Sequence, residues 1–450
     1  MAVRFGTDGI RGVANEELTP EVATAVGRAS ARVLGGGPFL VGRDTRWSGP
    51  LLQAAVSAGL AAEGCDVTDL GVVPTPALAY LSERRHAPAV VISASHNPYA
   101  DNGIKVFASG GAKLSEAIER AIEAAVAAGP GPRPPTGRSV GRISADPTGA
   151  AEYLDHLRGC VGGRRLDGLR LVVDGANGAA SALAPGLFSS LGADVVAVAC
   201  EPDGANINDA CGSTSPELLS EAVVAQRADL GLAFDGDADR LVAVDHTGAV
   251  ADGDVLLALF ALDLDARGLL PGDTVVVTVM TNLGFRMAMT GRGITVTETQ
   301  VGDRHVLAAL EAGGLALGGE QSGHIVFRHL ATTGDGILSG LLLADLVARR
   351  GEPLAGLTEG LVPRVPQVLT KVAVDDPGRL ESAGAVWEVV KEVEADLGPN
   401  ARVLLRASGT EPVVRVMVEA PDEGQAAAAA ARLCQAVEAD LGPAARATGD

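Results

Sequence analysis

Residues 230–244 read Leu-Gly-Leu-Ala-Phe-Asp-Gly-Asp-Ala-Asp-Arg-Leu-Val-Ala-Val. The run Leu230 to Phe234 predicts a buried strand, and Leu241 to Val244 predicts a second one. Asp235, Asp237 and Asp239 therefore fall at a strand end, three carboxylates within five residues. Like charges held this close repel, and a fold keeps them together most easily around a cation. Hard oxygen donors on a tight, Gly-containing turn suit Mg²⁺. The plain alternative is a solvated acidic turn, and for an isolated D-x-D-x-D the two readings stand level.

Outward from this stretch the chain repeats one order of elements: strand, helix, strand, helix, third strand, loop, return strand. The first copy has strands at Phe39 to Gly42, Cys65 to Val67 and Ala89 to Ile92, with a return strand at Ile104 to Phe107. The second has Leu171 to Asp174, Asp194 to Ala197 and Leu230 to Ala233, returning at Leu241 to Val244. The third has Thr274 to Val277, Ile294 to Val296 and Leu315 to Leu317, returning at Ile325 to Phe327. Short β-rich runs alternating with Ala/Leu helical patterns, such as Pro216 to Ala228, are the pattern of parallel βαβ layers. A fourth segment differs: strands Arg402 to Arg406 and Val413 to Val418, then a helix from about Asp422 to Asp440. Linkers are expected at Gly129 to Gly141, near Gly248 to Gly253, and at Pro363 to Pro366. The fold class expected is α/β with four domains around a central cleft. The first three are copies of one mixed-sheet α/β unit (1–145, 146–250 and 251–365), and the fourth is a smaller α+β domain (366–450).

The bulk numbers fit a globular protein. Hydrophobic residues make up 47% of the 450, and charged ones 20%. Aromatics are only 3%, so the cores must be built from Ala, Val and Leu. A net charge of -20 argues against a nucleic-acid partner and against an anionic membrane surface. It leaves an anionic small substrate open, since a few local arginines can dominate a cleft. The five cysteines are scattered and form no C-x-x-C pair, which points to a reducing compartment. No basic-then-apolar leader precedes Phe5 and no stretch has transmembrane length, so a cytoplasmic location is expected.

The loop after each third strand carries unusual chemistry. These loops read Ser93-Ala-Ser-His-Asn-Pro98, Asp235 to Arg240, and Gly318-Gly-Glu-Gln-Ser-Gly-His324. Ligands bind beyond the carboxyl ends of parallel strands, so three equivalent loops are placed to converge. Ser95 is either a nucleophile or phosphate carrier, or a cap for the Asn-Pro turn; taken alone, the cap is the commoner role. A Ser-His hydrolase fits poorly, because there is no G-x-S-x-G elbow around Ser95 and adjacent side chains on extended backbone point apart. Arg406-Ala-Ser-Gly-Thr410 with Arg415 outlines an anion site or, alternatively, a capped hairpin. Lys105 is one of only four lysines in the chain, either a compact charge and proton donor or a solvated side chain.

Four motifs, in order across nearly the whole chain, closely resemble the α-D-phosphohexomutase family: Ser93 to Pro98, Asp235 to Arg240, Gly319 to His324, and Arg406-Ala-Ser-Gly-Thr-Glu-Pro412. Phe5 to Gly12, Tyr99 to Lys105, Val301-Gly-Asp-Arg304 and Arg415 to Glu419 resemble the branch whose sugar carries an amino group. Ala238 departs from the Gly that many members have there. The resemblance implies an isomerase in which phosphorylated Ser95 passes its phosphoryl group to O1 of glucosamine 6-phosphate. The 1,6-bisphosphate turns over, and its 6-phosphate returns to Ser95. It implies Mg²⁺ held by Asp235, Asp237, Asp239 and the Ser95 phosphate, with sugar 1,6-bisphosphate as activator. Arg11, Lys105 and His324 would share proton transfer and charge stabilisation, although an arginine base is awkward at its pKa. Sugar-phosphate binding falls to His96, Arg240, Gly302, Asp303, Glu320 and Ser322. The distal phosphate clamp falls to Arg406, Ser408, Gly409, Thr410 and Arg415. Small sugar phosphates are the expected partners, with a homodimer left open and the product feeding amino-sugar cell-wall precursors. Three rivals remain. One is the same chemistry on glucose or mannose phosphates, and another a non-catalytic phosphosugar-binding protein. The third is a metal-dependent phosphatase with an aspartate nucleophile, which would survive Ser95→Ala.

Overall fold

In the computed structural model Leu230–Phe234 is a strand with every residue buried, and Leu241–Asp245 returns antiparallel beside it, Leu241 opposite Phe234. The structure describes residues 3–6, 8–129, 131, 133–408 and 411–442. They divide into two compact units: Met1–Met280 with Gly293–Leu361, and Thr281–Arg292 with the chain from Val362 onward.

The first unit holds three sheets with one shared wiring. In the first, Phe39–Arg43 pairs in parallel with Val67–Val72 on one side and Ala89–Ile92 on the other, and Asp101–Phe107 closes antiparallel on Ala89–Ile92. Arg170–Asp174, Asp194–Val198, Leu230–Phe234 and Leu241–Asp245 repeat that arrangement. Thr274–Thr278, Thr295–Thr299, Leu317–Gly319 and Ile325–Phe327 repeat it again. The third strand of each copy lies between two neighbours, which is why its residues are uniformly apolar or glycine. The expected α/β class and the three-copy pattern are what the sheets show.

Several boundaries move from their expected places. The second strands begin at Val67 and Thr295 and run to Val72 and Thr299, through polar residues. Thr295–Thr299 is an edge strand with half-exposed faces, so its Thr and Glu side chains reach water and the apolar signal is lost. The third strand of the last copy is Leu317–Gly319, not Leu315 to Leu317, so its first two loop glycines are sheet residues. Gly318 permits this, because a Cβ there would lie 2.8 Å from the Val276 carbonyl oxygen. The first sheet gains two outer strands, Ile10–Val13 antiparallel to Asp101–Phe107 and Ile143–Ala145 parallel to Val67–Val72.

The second unit is a three-stranded antiparallel sheet in the order Gln367–Ala373, Val413–Glu419, Arg402–Ala407. Helices Gly384–Leu397 and Glu423–Leu441 pack a Val/Ala/Leu core against it. Leu283–Thr290, the crossover helix between the first two strands of the third copy, belongs to this unit. Buried Glu419 anchors it, accepting from Asn282 Nδ2 at 3.0 Å and from the Leu283 amide at 3.2 Å while pairing with Arg402 Nε at 2.8 Å. Among the described residues no helix is long and apolar enough to cross a membrane.

Candidate active site

The Asp235–Arg240 loop joins two buried strands and turns within six residues. The Ala238 amide donates to the Asp235 carbonyl at 3.0 Å, and Ala238 itself has φ 58°. That left-handed backbone costs alanine roughly 1–2 kcal/mol and glycine nothing. The turn places ligand oxygens of buried Asp235, Asp237 and Asp239 within 4.8 Å of one another. Burial, then repulsion from Asp239 and Asp237, pushes Asp235 well above the ordinary carboxylate range.

Ser95 meets this triad from the neighbouring copy. Its Oγ donates to Asp235 Oδ2 at 2.5 Å. Ser95 has φ 53°, so the backbone is not extended here as the sequence suggested. The left-handed turn brings Oγ within 3.3 Å of His96 Nδ1, and the two adjacent side chains converge instead of pointing apart. Burial, then the cations Arg240 and Arg11, lowers the His96 pKa to about 4, so the ring beside Ser95 is neutral.

Lys105 stands opposite Val91 on the return strand and is buried. Its Nζ lies 2.7 Å from Asp237 Oδ2, 2.8 Å from Asp8 Oδ2 and 3.8 Å from Asp239 Oδ2. Burial opposes the charge, but these carboxylates outweigh it and hold Lys105 above the ordinary lysine range. Arg11 grips Asp8 Oδ2 at 2.5 Å and Asn97 Oδ1 at 3.0 Å. Arg240 points its Nε at Asp239 Oδ1, 3.8 Å away.

The third loop closes the constellation. The Leu241 amide donates to the Gly323 carbonyl at 3.0 Å, and a Cβ on Gly323 (φ 89°) would meet Leu241 O at 2.1 Å, so only glycine fits. Buried His324 then sits with Nδ1 3.6 Å from Asp239 Oδ2 and Nε2 3.6 Å from Asp303 Oδ2. Burial lowers its pKa, and Asp239, Asp303 and Glu320 outweigh that and raise it to about 9. Glu320 Oε1 accepts from the Gly302 amide at 3.0 Å, and Ser322 is exposed on the turn.

Thirteen of the expected site residues thus lie in the first unit: Ser95, His96, Arg11, Lys105, Asp235, Asp237, Asp239, Arg240, Gly302, Asp303, Glu320, Ser322 and His324. Arg406, Ser408 and Arg415 lie in the second. There Arg406 stands directly opposite Arg415 across the sheet, and Ser408 Oγ accepts from the Glu411 amide at 3.2 Å. Gly409 and Thr410 lie outside the described residues.

Sequence reading missed three participants. Asp8 collects Arg11, Lys105 and Lys113 at 2.5–2.8 Å. Lys113 bridges it to Asp303, at 2.6 Å. Thr75, at the start of helix Thr75–Arg85, donates to Asp237 Oδ2 at 2.6 Å. The usable signal was lysine scarcity, since two of the chain's four lysines stand here, Lys105 buried and Lys113 partly buried.

The triad suits a hard divalent cation. Asp237 Oδ1 and Asp239 Oδ1 are buried and, among the described residues, accept no hydrogen bond. Such oxygens cost free energy unless an ion or donor meets them.

This fold and loop set define a family. Models of the phosphoglucomutase/phosphomannomutase α/β/α domains I, II and III match residues 2–130, 151–248 and 252–365, and the C-terminal domain model matches 369–436. The chain belongs to the phosphoglucomutase/phosphomannomutase family. It is 53% identical over 428 residues to phosphoglucosamine mutase of Frankia alni, covering 92% of this chain and 93% of that one. It is 52% identical over 422 residues to the phosphoglucosamine mutase of Mycolicibacterium vanbaalenii, covering 92% and 94%. Among solved structures, a phosphoglucomutase/phosphomannomutase family protein of Burkholderia thailandensis superposes with TM-score 0.81 at 28% identity, over 98% of both chains.

Proposed function

We propose that the chain interconverts glucosamine 6-phosphate and glucosamine 1-phosphate, the reaction for which its Frankia and Mycolicibacterium relatives are named. The observation that carries this reading is Ser95, whose hydroxyl lies 2.5 Å from Asp235 at the edge of a buried carboxylate triad. A serine so placed can hold a phosphoryl group beside a cation site.

In the first half-reaction the bond from Ser95 Oγ to phosphorus breaks as the bond from phosphorus to sugar O1 forms. O1 gives up its proton and Ser95 Oγ gains one. In the second half-reaction the bond from O6 to phosphorus breaks, Ser95 is phosphorylated again, and O6 takes a proton. Bound at Asp235, Asp237 and Asp239, Mg²⁺ would supply positive charge to the transferring phosphoryl group. Lys105 keeps its proton, and with the Arg11 guanidinium it supplies fixed positive charge. His324, raised to about 9, is the group we assign to proton exchange. We assign the sugar hydroxyls to Glu320 and Ser322, and the non-reacting phosphate to Arg406, Ser408 and Arg415. The cytoplasm is the compartment we assign.

The test is an initial-rate comparison with Mg²⁺ and a catalytic amount of sugar 1,6-bisphosphate. Preference in kcat/KM for glucosamine 6-phosphate over glucose 6-phosphate supports the reading. Equal or reversed preference moves the chain to glucose or mannose phosphates with the mechanism intact.

A further inference from the structure

Ser95 does not hold its left-handed backbone unaided. Two side chains outside the catalytic set grip the same pair of carbonyls. Arg46 Nη2 donates to Ser95 O at 2.9 Å and to Asn97 O at 2.8 Å. Asn208 Nδ2 donates to the same two oxygens at 2.9 and 3.1 Å. The carbonyls on either side of His96 are therefore each held twice.

The two arms come from different copies of the repeat. Arg46 follows strand Phe39–Arg43 in the first copy and is fully buried. Its Nη1 also donates to Pro98 O and, at 3.0 Å, to Asp101 O, so one guanidinium satisfies four carbonyls of the loop. Its charge is met by buried Asp44, Nε to Oδ2 at 2.9 Å. Asp44 Oδ2 accepts from Ser93 Oγ at 2.6 Å, and Ser93 Oγ accepts from the Ser95 amide at 2.9 Å. The Ser95 peptide is thus tied at its carbonyl and, through Ser93, at its N–H. Asn208 belongs to the second copy, between strands Asp194–Val198 and Leu230–Phe234 in sequence, and its backbone N–H donates to Ala176 O at 2.9 Å. The copy that carries Asp235 therefore also reaches across to fix the backbone of the serine Asp235 receives.

We propose that Arg46 and Asn208 are positioning residues for Ser95: bridging the carbonyls of Ser95 and Asn97 from two copies of the fold, they hold its hydroxyl in register with Asp235. This rests on the phosphoserine reading above. The planar guanidinium is required on the first-copy side, because a lysine ammonium cannot span four carbonyls. On the second-copy side the amide must donate, which an isosteric carboxylate cannot do.

The test uses the full chain with Mg²⁺ and sugar 1,6-bisphosphate. Phosphoserine content is measured by intact mass, and kcat is expressed per phosphorylated molecule. Asn208→Ala and Asn208→Asp are each expected to lower that kcat about tenfold or more with KM for the sugar phosphate unchanged within about twofold, and Arg46→Lys to lower it about a hundredfold. Matching losses in Asn208→Ala and Asn208→Asp separate hydrogen bonding from volume. Should Arg46→Lys fail to fold, the Asn208 pair decides. A kcat per phosphorylated molecule within twofold of the parent in both Asn208 variants overturns the clamp, as does a loss accounted for by phosphoserine content alone. A parent protein that turns over no sugar phosphate overturns the functional reading, and the clamp with it.

Discussion

Gly236→Ala is the substitution whose cost can be worked most directly from the geometry. Gly236 packs on the serine loop so closely that a Cβ added to it would lie 2.5 Å from the Ser95 carbonyl oxygen. Ordinary contact begins near 3.4 Å, so one of the two backbones must retreat by about 0.9 Å. The obstacle is main chain and cannot swing aside as a flexible side chain would. Retreat in either direction separates Ser95 Oγ from Asp235, now 2.5 Å apart. A displacement near 1 Å in a reacting group costs about a hundredfold in rate. Gly236 has no positive φ, so the alanine adds no backbone strain of its own to confuse the result. The assay is steady-state kcat and KM with sugar 1,6-bisphosphate present, alongside thermal melts. Gly186→Ala serves as control: that helical glycine has open space around it, and the change should leave kcat alone while stabilising by about 0.5–1 kcal/mol. A Gly236→Ala enzyme with kcat within threefold of the parent would refute the claim that this contact sets the Ser95–Asp235 distance.

Three further outcomes are expected. Burial first of all raises the Asp335 pKa from 3.8 to about 6, although Leu338 N and Tyr153 OH donate to it. Its folded-state pKa lies above the unfolded value, so its contribution is full below about pH 4 and lost as pH rises toward 6. Asp335→Asn, which keeps the helix cap, should therefore gain about 3 kcal/mol on the parent between pH 4 and 7 in denaturant titrations; a constant difference would contradict it. Lys105→Met leaves Asp237 and Asp8 without their shared ammonium; the variant should lose about 3–5 kcal/mol of stability when compared with the parent in EDTA, and should lose activity when assayed with Mg²⁺. Mg²⁺ at a hundred times its Kd should stabilise the parent by about 2.7 kcal/mol, and Asp237→Asn with Asp239→Asn should abolish that gain.

What could be read from the chain was whatever depends on neighbours in sequence. Leu230 to Phe234 announces a buried strand because both its faces are covered, and the acids after it announce a strand-end site. Thr295–Thr299 hid its full length because an edge strand need not be apolar. Nothing local marks helix Leu283–Thr290 as part of the second unit, since its anchor Glu419 lies more than a hundred residues away. Asp8 and Lys113 are the same case: each becomes a site residue only through partners from other segments. Arg46 reads as an ordinary charged residue in Asp44-Thr-Arg46, and its burial follows from a loop of carbonyls that only the fold assembles. Local reading also misled at Ser95, where extended backbone was expected and a left-handed residue was found.

The central claim is that Ser95 carries the phosphoryl group. The direct measurement is peptide-mapped mass spectrometry of the protein after brief exposure to glucosamine 1,6-bisphosphate with Mg²⁺, and again after adding excess glucosamine 6-phosphate. The account predicts one phosphate, on Ser95, present in the first sample, still present in the second because each turnover returns a phosphoryl group to Ser95, and absent in Ser95→Ala together with turnover. Phosphate on an aspartate, or full turnover by Ser95→Ala, would contradict it.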